Sequence, residues 1–293
     1  MNIIVSLNNI DSLSEAARFP ISHVLIGDGH FSSGNSFMDR EQIRKFISKA
    51  HGLELKVIIR TDRLYGEDEL EDLSAYLRFL KDEGADGLLI GDLGVRMMVE
   101  RDNLDLECLY APETLLTNSY DVRQLLLDGM DGCVISKDIP LKDGYQIAKD
   151  NEYGCWLRVY GPVLIACSRR RFVSLYLQQQ QERLENWYLQ EESRPLMMPI
   201  VEKPEGSWLY GYCLHSLDSI GEIAALPLKG IIFDDPIGRD DDTLEALRLH
   251  LEVLDGKKSA EEAFEQLPVR DGHTSYGSIS AVRRTVLDKE KQE

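Results

Sequence analysis

Hydrophobic positions along this chain gather into short runs separated by longer amphipathic stretches. The runs at 3–7, 23–27, 55–60, 88–90, 106–109, 132–136, 155–160 and 230–234 are almost wholly apolar, the pattern of strands covered on both faces. Between them, apolar residues recur at helical spacing. Residues 39–50 place Ile43, Phe46 and Ile47 on one face. Residues 67–83 carry the stripe Leu70, Leu73, Leu77 and Leu80 behind an acidic start that suits the helix dipole. Helices are also predicted over 11–18, 94–99, 117–127, 141–148, 219–226, 243–254 and 259–266.

About eight buried strands alternating with helices predict an α/β fold, a parallel β/α (TIM-like) barrel, with an open doubly wound sheet as the alternative. The alternation fails between Arg171 and Tyr212. There, 172–188 reads as helix, and 199–203 with 208–210 as a β-hairpin across Pro204-Glu205-Gly206-Ser207, inserted after the seventh strand. The expected organisation is one barrel domain over 1–267, an insertion at about 161–215, and an irregular tail over 268–293. The Gly/Ser/Asn-rich stretch 28–38 is long enough to suggest function rather than mere connection.

Composition narrows the function classes. The chain has 293 residues, with 33 basic against 51 acidic side chains and a net charge of -18. That balance opposes non-specific binding to nucleic acid or anionic membrane, so RNA contact requires a local basic patch or a basic partner. The first residues read as a strand rather than a signal peptide, and no apolar run reaches the roughly 18 residues of a membrane span; the expected location is cytoplasmic. Five cysteines occur without a Cys-x-x-Cys pair, and Cys108, Cys133 and Cys155 read as small buried hydrophobes.

Against the acidic background stands Ser168-Arg169-Arg170-Arg171, just beyond a strand's C-terminal end, where barrels place their sites. Its guanidiniums are suited to capturing an anion, a phosphate or a carboxylate, and equally to pairing with acidic residues of the chain itself. Asp234-Asp235 follows the last apolar strand; such a pair can bind a metal, act as acid and base, or engage an arginine of the triplet. Asp92 in Gly-Asp-Leu-Gly is a site carboxylate or a helix cap. Asn118 could orient a ligand, though capping the following helix with Thr117 is the plainer reading. Glu202, on the hairpin, is most simply a solvated strand edge. The histidines show no metal-ligand spacing, and neither Cys167 nor Ser168 has a neighbouring histidine or a nucleophile elbow. No metal site is predicted and no catalytic residue is assigned.

Taken in order, several segments resemble peptidase family U32: Gly-Ala-Asp-Gly-Leu-Leu-Ile-Gly-Asp-Leu-Gly at 84–94, Thr-Asn-Ser-Tyr-Asp at 117–121, 134–141, 160–176 and the hairpin segment from Pro199. The resemblance implies a barrel. For a chain of the short type it implies the smaller partner of a pair that hydroxylates wobble uridine in tRNA to 5-hydroxyuridine. A larger U32 paralogue would then be the partner in a hetero-complex, carrying the chemistry and most of the tRNA affinity. The family label also implies a collagenase-like hydrolase as an alternative, and a non-enzymatic interaction module is a third. Where many members show His-Gly-x-x-Cys-x-x-x-Ser-Gly-Arg-Cys, this chain has Tyr160, Leu164 and Arg171 at the His and Cys positions. Leu109-Tyr110-Ala111-Pro112-Glu113 replaces the family's His-x-Ser-Thr-Gln. No iron–sulfur cluster or other cofactor is therefore expected, and an accessory, substrate-positioning role is. Arg169 and Arg170 are expected to face the barrel mouth.

Overall fold

The computed structural model describes residues 1–34, 38–113, 115–180, 187–190, 197–268 and 276–279. Strands β1 (Asn2–Ser6), β2 (His23–Gly27), β3 (Lys56–Thr61), β4 (Gly87–Ile90), β5 (Glu107–Tyr110), β6 (Gly132–Val134) and β7 (Cys155–Ser168) pair in parallel in chain order. A later strand, Gly230–Phe233, closes the barrel by pairing in parallel with both β1 and β7. Helices α1 (Leu13–Ala16), α2 (Arg40–His51), α3 (Leu70–Asp82), α4 (Leu93–Arg101), α5 (Ser119–Leu127) and α6 (Leu141–Asp150) alternate with these strands.

Inward side chains Ile4, Leu25, Ile58, Leu89, Leu109, Val134, Trp156 and Ile232 fill the barrel, and Ala111 joins them. Outward neighbours such as Ile3, Val5, Val24 and Val57 meet the helices in a second, larger cluster. This double burial is what the uninterrupted apolar runs required. Locally, α2 starts at a reciprocal cap. Asp39 accepts from the Gln42 backbone N–H at 2.8 Å, and the Gln42 side chain accepts from the Asp39 N–H at 2.8 Å. Its Ile43, Phe46, Ile47 and Ala50 are buried.

The insertion begins inside β7. After Tyr160 the strand leaves the barrel yet continues to Ser168, pairing antiparallel with a strand further on. Gly161 makes the exit at φ +129, where a Cβ would stand 1.7 Å from the Asp234 carbonyl oxygen. Helix α7 (Phe172–Gln180) follows, then β8 (Trp187–Gln190), β9 (Met197–Lys203) and β10 (Gly206–His215), giving the sheet order β7-β10-β9-β8. The predicted hairpin is thus present as β9–β10. The helix predicted over 172–188 is shorter: Trp187 and Tyr188 belong to β8, paired with Ile200 and Pro199 of β9.

After β10 come α8 (Ile220–Ala224), β11 (Gly230–Phe233), α9 (Asp240–Leu254) and α10 (Ala260–Phe264). The segment from 268 is not wholly irregular. Strand β12 (Tyr276–Ser278) pairs in parallel with Cys213, Leu214 and His215 of β10, beyond the reach of β9. It supplies backbone partners to that part of the edge. No helix among the described residues is long and apolar enough to cross a membrane.

Candidate functional site

Two residues above the apolar plug, the inward positions change character. Ile58 is followed by Arg60, Trp156 by Arg158, and Ile232 by Asp234: Arg60 and Asp234 at the C-terminal ends of β3 and the Gly230–Phe233 strand, Arg158 near the end of the part of β7 that belongs to the barrel. Arg60, Arg158 and Asp234 are 4%, 8% and 1% exposed, and charges so deep need partners. Asp234 takes both guanidiniums. Arg60 Nη2 donates to Oδ1 and Nη1 to Oδ2 at 3.3 Å, while Arg158 Nη2 stands 3.1 Å from Oδ2. Arg60 Nη1 also reaches Asp62 at 3.1 Å. Arg158 forms a fork with Glu113 at 2.9 and 3.1 Å, and Lys137 Nζ donates to the same carboxylate at 2.9 Å.

Three cations (Arg60, Arg158, Lys137) thus face three carboxylates (Asp62, Glu113, Asp234) at the barrel mouth. Burial opposes the charge of Arg60 and Arg158, but their carboxylate partners outweigh it and raise both guanidiniums above their ordinary value. Burial alone would raise the Glu113 carboxyl; Arg158 and Lys137 instead hold it down at about 2. Asp62 is occupied as well, accepting from the Ser33 N–H and hydroxyl at 2.7 Å each.

Over this layer lies a cavity of about 400 Å³, within the usual range of small-ligand sites. The mouth contributes Asp62, Gly91, Ala111, Pro112 and Glu113; the insertion contributes Leu164, Ala166, Cys167 and Trp208. Leu64, Leu115 and Ile165, which also line it, are half-exposed or more. Beside it, Lys203 donates to the carbonyls of Gly29 and Ser32 at 3.3 and 3.1 Å and sits 5.8 Å over the Trp208 ring. Burial lowers its ammonium to about 8.

The residues singled out from sequence fall into different places. Ser168 and Arg169 line the cavity. Ser168 Oγ accepts from the Arg170 N–H at 3.1 Å. Arg169 is 3.2 Å from Glu69 and 3.7 Å from Asp68. The same Glu69 binds Arg63, another lining residue, at 2.8 Å. Arg170 is exposed and makes no ion pair with any described residue. Asp234 lies beneath the cavity, and its arginines are Arg60 and Arg158 rather than those of the triplet. Asp92 is a cap: Oδ1 accepts from the Gly94 N–H at 2.8 Å, and Oδ2 from the Tyr65 N–H at 3.2 Å. Asn118 caps α5, accepting from the N–H groups of Tyr120 and Asp121 at 3.0 Å.

Glu202 differs from the solvated edge expected of it. Its side chain is 10% exposed and accepts from the Val173 and Ser174 N–H groups at 2.7 and 2.9 Å and from Ser207 Oγ at 3.0 Å. It therefore secures the start of α7. Of the 28–38 loop, Ser33 reaches the cavity, and residues 35–37 lie outside the described ones.

Arg60, Arg158, Glu113, Asp62 and Lys137 were not singled out from the sequence. The signal was an arginine within otherwise apolar strand runs, Val-Ile-Ile-Arg-Thr and Trp-Leu-Arg-Val-Tyr, because a charge there must be paired. Cys167 is exposed on the rim, and desolvation of its thiol, then the charges of Glu113 and Asp62, push it above the ordinary range. Among the described residues, no histidine lines the cavity. Among the described residues, no three His, Cys, Asp or Glu side chains are gathered as a metal ion would require. The arrangement is a fixed, internally neutral floor beneath an apolar chamber with an arginine on its rim.

The chain is 22% identical over 227 residues to tRNA hydroxylation protein P2 of Bacillus subtilis (strain 168), covering 74% of this chain and 73% of that one. Among solved structures it resembles the U32 peptidase Mk0906, at a TM-score of 0.46 and 12% identity over 61% of this chain and 75% of the other. It also resembles the thiamine phosphate pyrophosphorylase of Pyrococcus furiosus, at a TM-score of 0.47 and 10% identity over 89% and 96%. The sequence model of peptidase family U32 matches residues 8–186, more than half of the chain, and the protein belongs to that family.

Proposed function

We propose that this chain takes part in tRNA hydroxylation as the component that holds the target nucleoside, working in the cytoplasm beside a larger U32 paralogue that supplies the chemistry. The observation that carries this reading is the mouth cavity over a floor whose carboxylates are already committed. Glu113, held at about 2, stays ionised at neutral pH and so has no proton to give; its Oε2 accepts from Lys137 and Arg158 and its Oε1 from Arg158. An apolar chamber suits a flat base, and Arg169 at the rim suits a phosphate once it exchanges Glu69 for the ligand. Ser168 and Arg170 adjoin that rim, whereas Asp234 and Glu202 support it from below and behind. The likeness to a protein named for tRNA hydroxylation points the same way.

A hydrolytic role needs a nucleophile beside a base. Among the described residues, neither Cys167 nor Ser168 hydrogen-bonds to a histidine or carboxylate; Ser168 Oγ instead accepts from the Arg170 N–H.

The test is nucleoside mass spectrometry of tRNA from a strain lacking this chain. Loss of 5-hydroxyuridine derivatives, restored by the wild-type chain, is expected. Unchanged levels in a strain with no compensating paralogue would sink the reading.

A further inference from the structure

We infer that the outer face of α7 is a contact for unpaired RNA, with Phe172 and Tyr176 taking bases and Arg170 and Arg171 taking phosphates. The inference deepens the function proposed above, because it gives this chain an RNA contact of its own instead of leaving tRNA wholly to a partner.

Phe172, Leu175 and Tyr176 are 51%, 52% and 59% exposed. At spacings of three and four they share one helix face, with Cβ atoms about 5–6 Å apart. The helix presenting them is fixed. Val173 is buried, and the first-turn N–H groups of Val173 and Ser174 are held by Glu202. Two aromatic rings at that separation can grip a base or stack two successive ones.

Immediately before the helix stand the arginines. Arg170 has no ion pair among the described residues, and Arg171 rests on Ser174 Oγ at 3.0 Å with Nε 3.7 Å from Glu202. Arg169, next in line, already belongs to the cavity rim. A single strand lying along α7 therefore meets aromatic faces, then guanidiniums, then the chamber.

A protein partner fits this face less well. Three side chains of roughly 150–250 Å² each, about half exposed, offer on the order of 300 Å², far short of the ~800 Å² per partner of a stable interface. A second copy would bring another -18 of charge and set arginine against arginine across a two-fold axis.

The test measures fluorescence anisotropy of the full chain with a labelled RNA hairpin bearing an unpaired loop, beside the same stem as a blunt duplex. The hairpin should bind more tightly than the duplex. Tyr176→Ala and Phe172→Ala should each weaken hairpin binding by roughly 5- to 150-fold. Arg170→Ala should flatten the slope of log K against log salt by about 0.7. Leu127→Ala, an exposed aliphatic on α5, should change nothing.

Three results overturn the inference: no hairpin binding, equal binding of hairpin and duplex, or unchanged binding by both aromatic variants. Loss of a co-purifying protein from Tyr176→Ala with RNA binding intact would also overturn it, by making the face a protein contact. The nucleoside assay above is independent of these measurements. Hydroxylation that depends on this chain, with no hairpin binding, removes the α7 contact and leaves the proposed function standing.

Discussion

Glu113→Gln tests the mouth network most directly. Glu113 is the carboxylate that Arg158 and Lys137 share, and its side chain is 21% exposed. Its carboxyl is held at about 2 against an ordinary 4.5. Each pKa unit is worth about 1.4 kcal/mol, so the ionised form contributes about 3 kcal/mol to folding. The folded-state value lies below the unfolded one. The contribution is therefore complete above about pH 4.5 and disappears as pH falls towards 2. Urea unfolding followed by circular dichroism should show the variant about 3 kcal/mol less stable than wild type at pH 7, with the two converging near pH 2.

The substitution also strands Lys137, which is buried and has no other ion pair among the described residues. Much of the loss is thus the penalty of an unpaired buried ammonium. Glu113→Gln combined with Lys137→Met should recover more than half of it. A Glu113→Gln chain within 0.5 kcal/mol of wild type at pH 7, or a difference that does not depend on pH, would refute the account of a paired, pH-locked floor.

Two further expectations concern the frame around the site. His250 is buried; its Nε2 accepts from the Ser216 N–H at 3.2 Å and its Nδ1 is 2.7 Å from the Ala246 carbonyl, which makes Nδ1 the protonated nitrogen. Burial lowers this imidazole to about 4, so stability should fall by roughly 3 kcal/mol as pH drops from 6.5 to 4, a window above that of Glu113; a ring titrating at pH 6 or higher by NMR would contradict it. Asp92→Ala and Asn118→Ala should each cost about 1 kcal/mol as lost caps and leave RNA affinity unchanged, whereas a marked loss of affinity would return either residue to the site.

The barrel was legible because its determinants are local. Each strand is a short apolar run, and each helix repeats its buried face every three or four residues. Caps are local too, so Asn118 could be read from the residues beside it. What depends on distant segments was not legible. β7 reads as ending at Tyr160 because Gly161-Pro162 resembles a break, yet β10, some fifty residues on, keeps it extended to Ser168. Glu202 reads as a solvated edge until α7 lays its first N–H groups against it. Asp234 was visible as a carboxylate at a strand end. Its partners Arg60 and Arg158 are 174 and 76 positions away, and only barrel closure brings them to it.

β7 is a member of both sheets, paired with β6 and β11 through its first half and with β10 through its second. The roof of the cavity is thus a continuation of one of the barrel's own staves rather than a separate flap on a linker. Such a shared beam couples the two sheets mechanically: β10 cannot lift without stripping hydrogen bonds from a strand that the barrel holds in place. Backbone amides of the paired residues in β7 and β10 should accordingly open to exchange in one cooperative event. Ligand entry would then be set by side-chain movement at the rim, where Leu64, Leu115 and Ile165 stand half in solvent, rather than by a hinge.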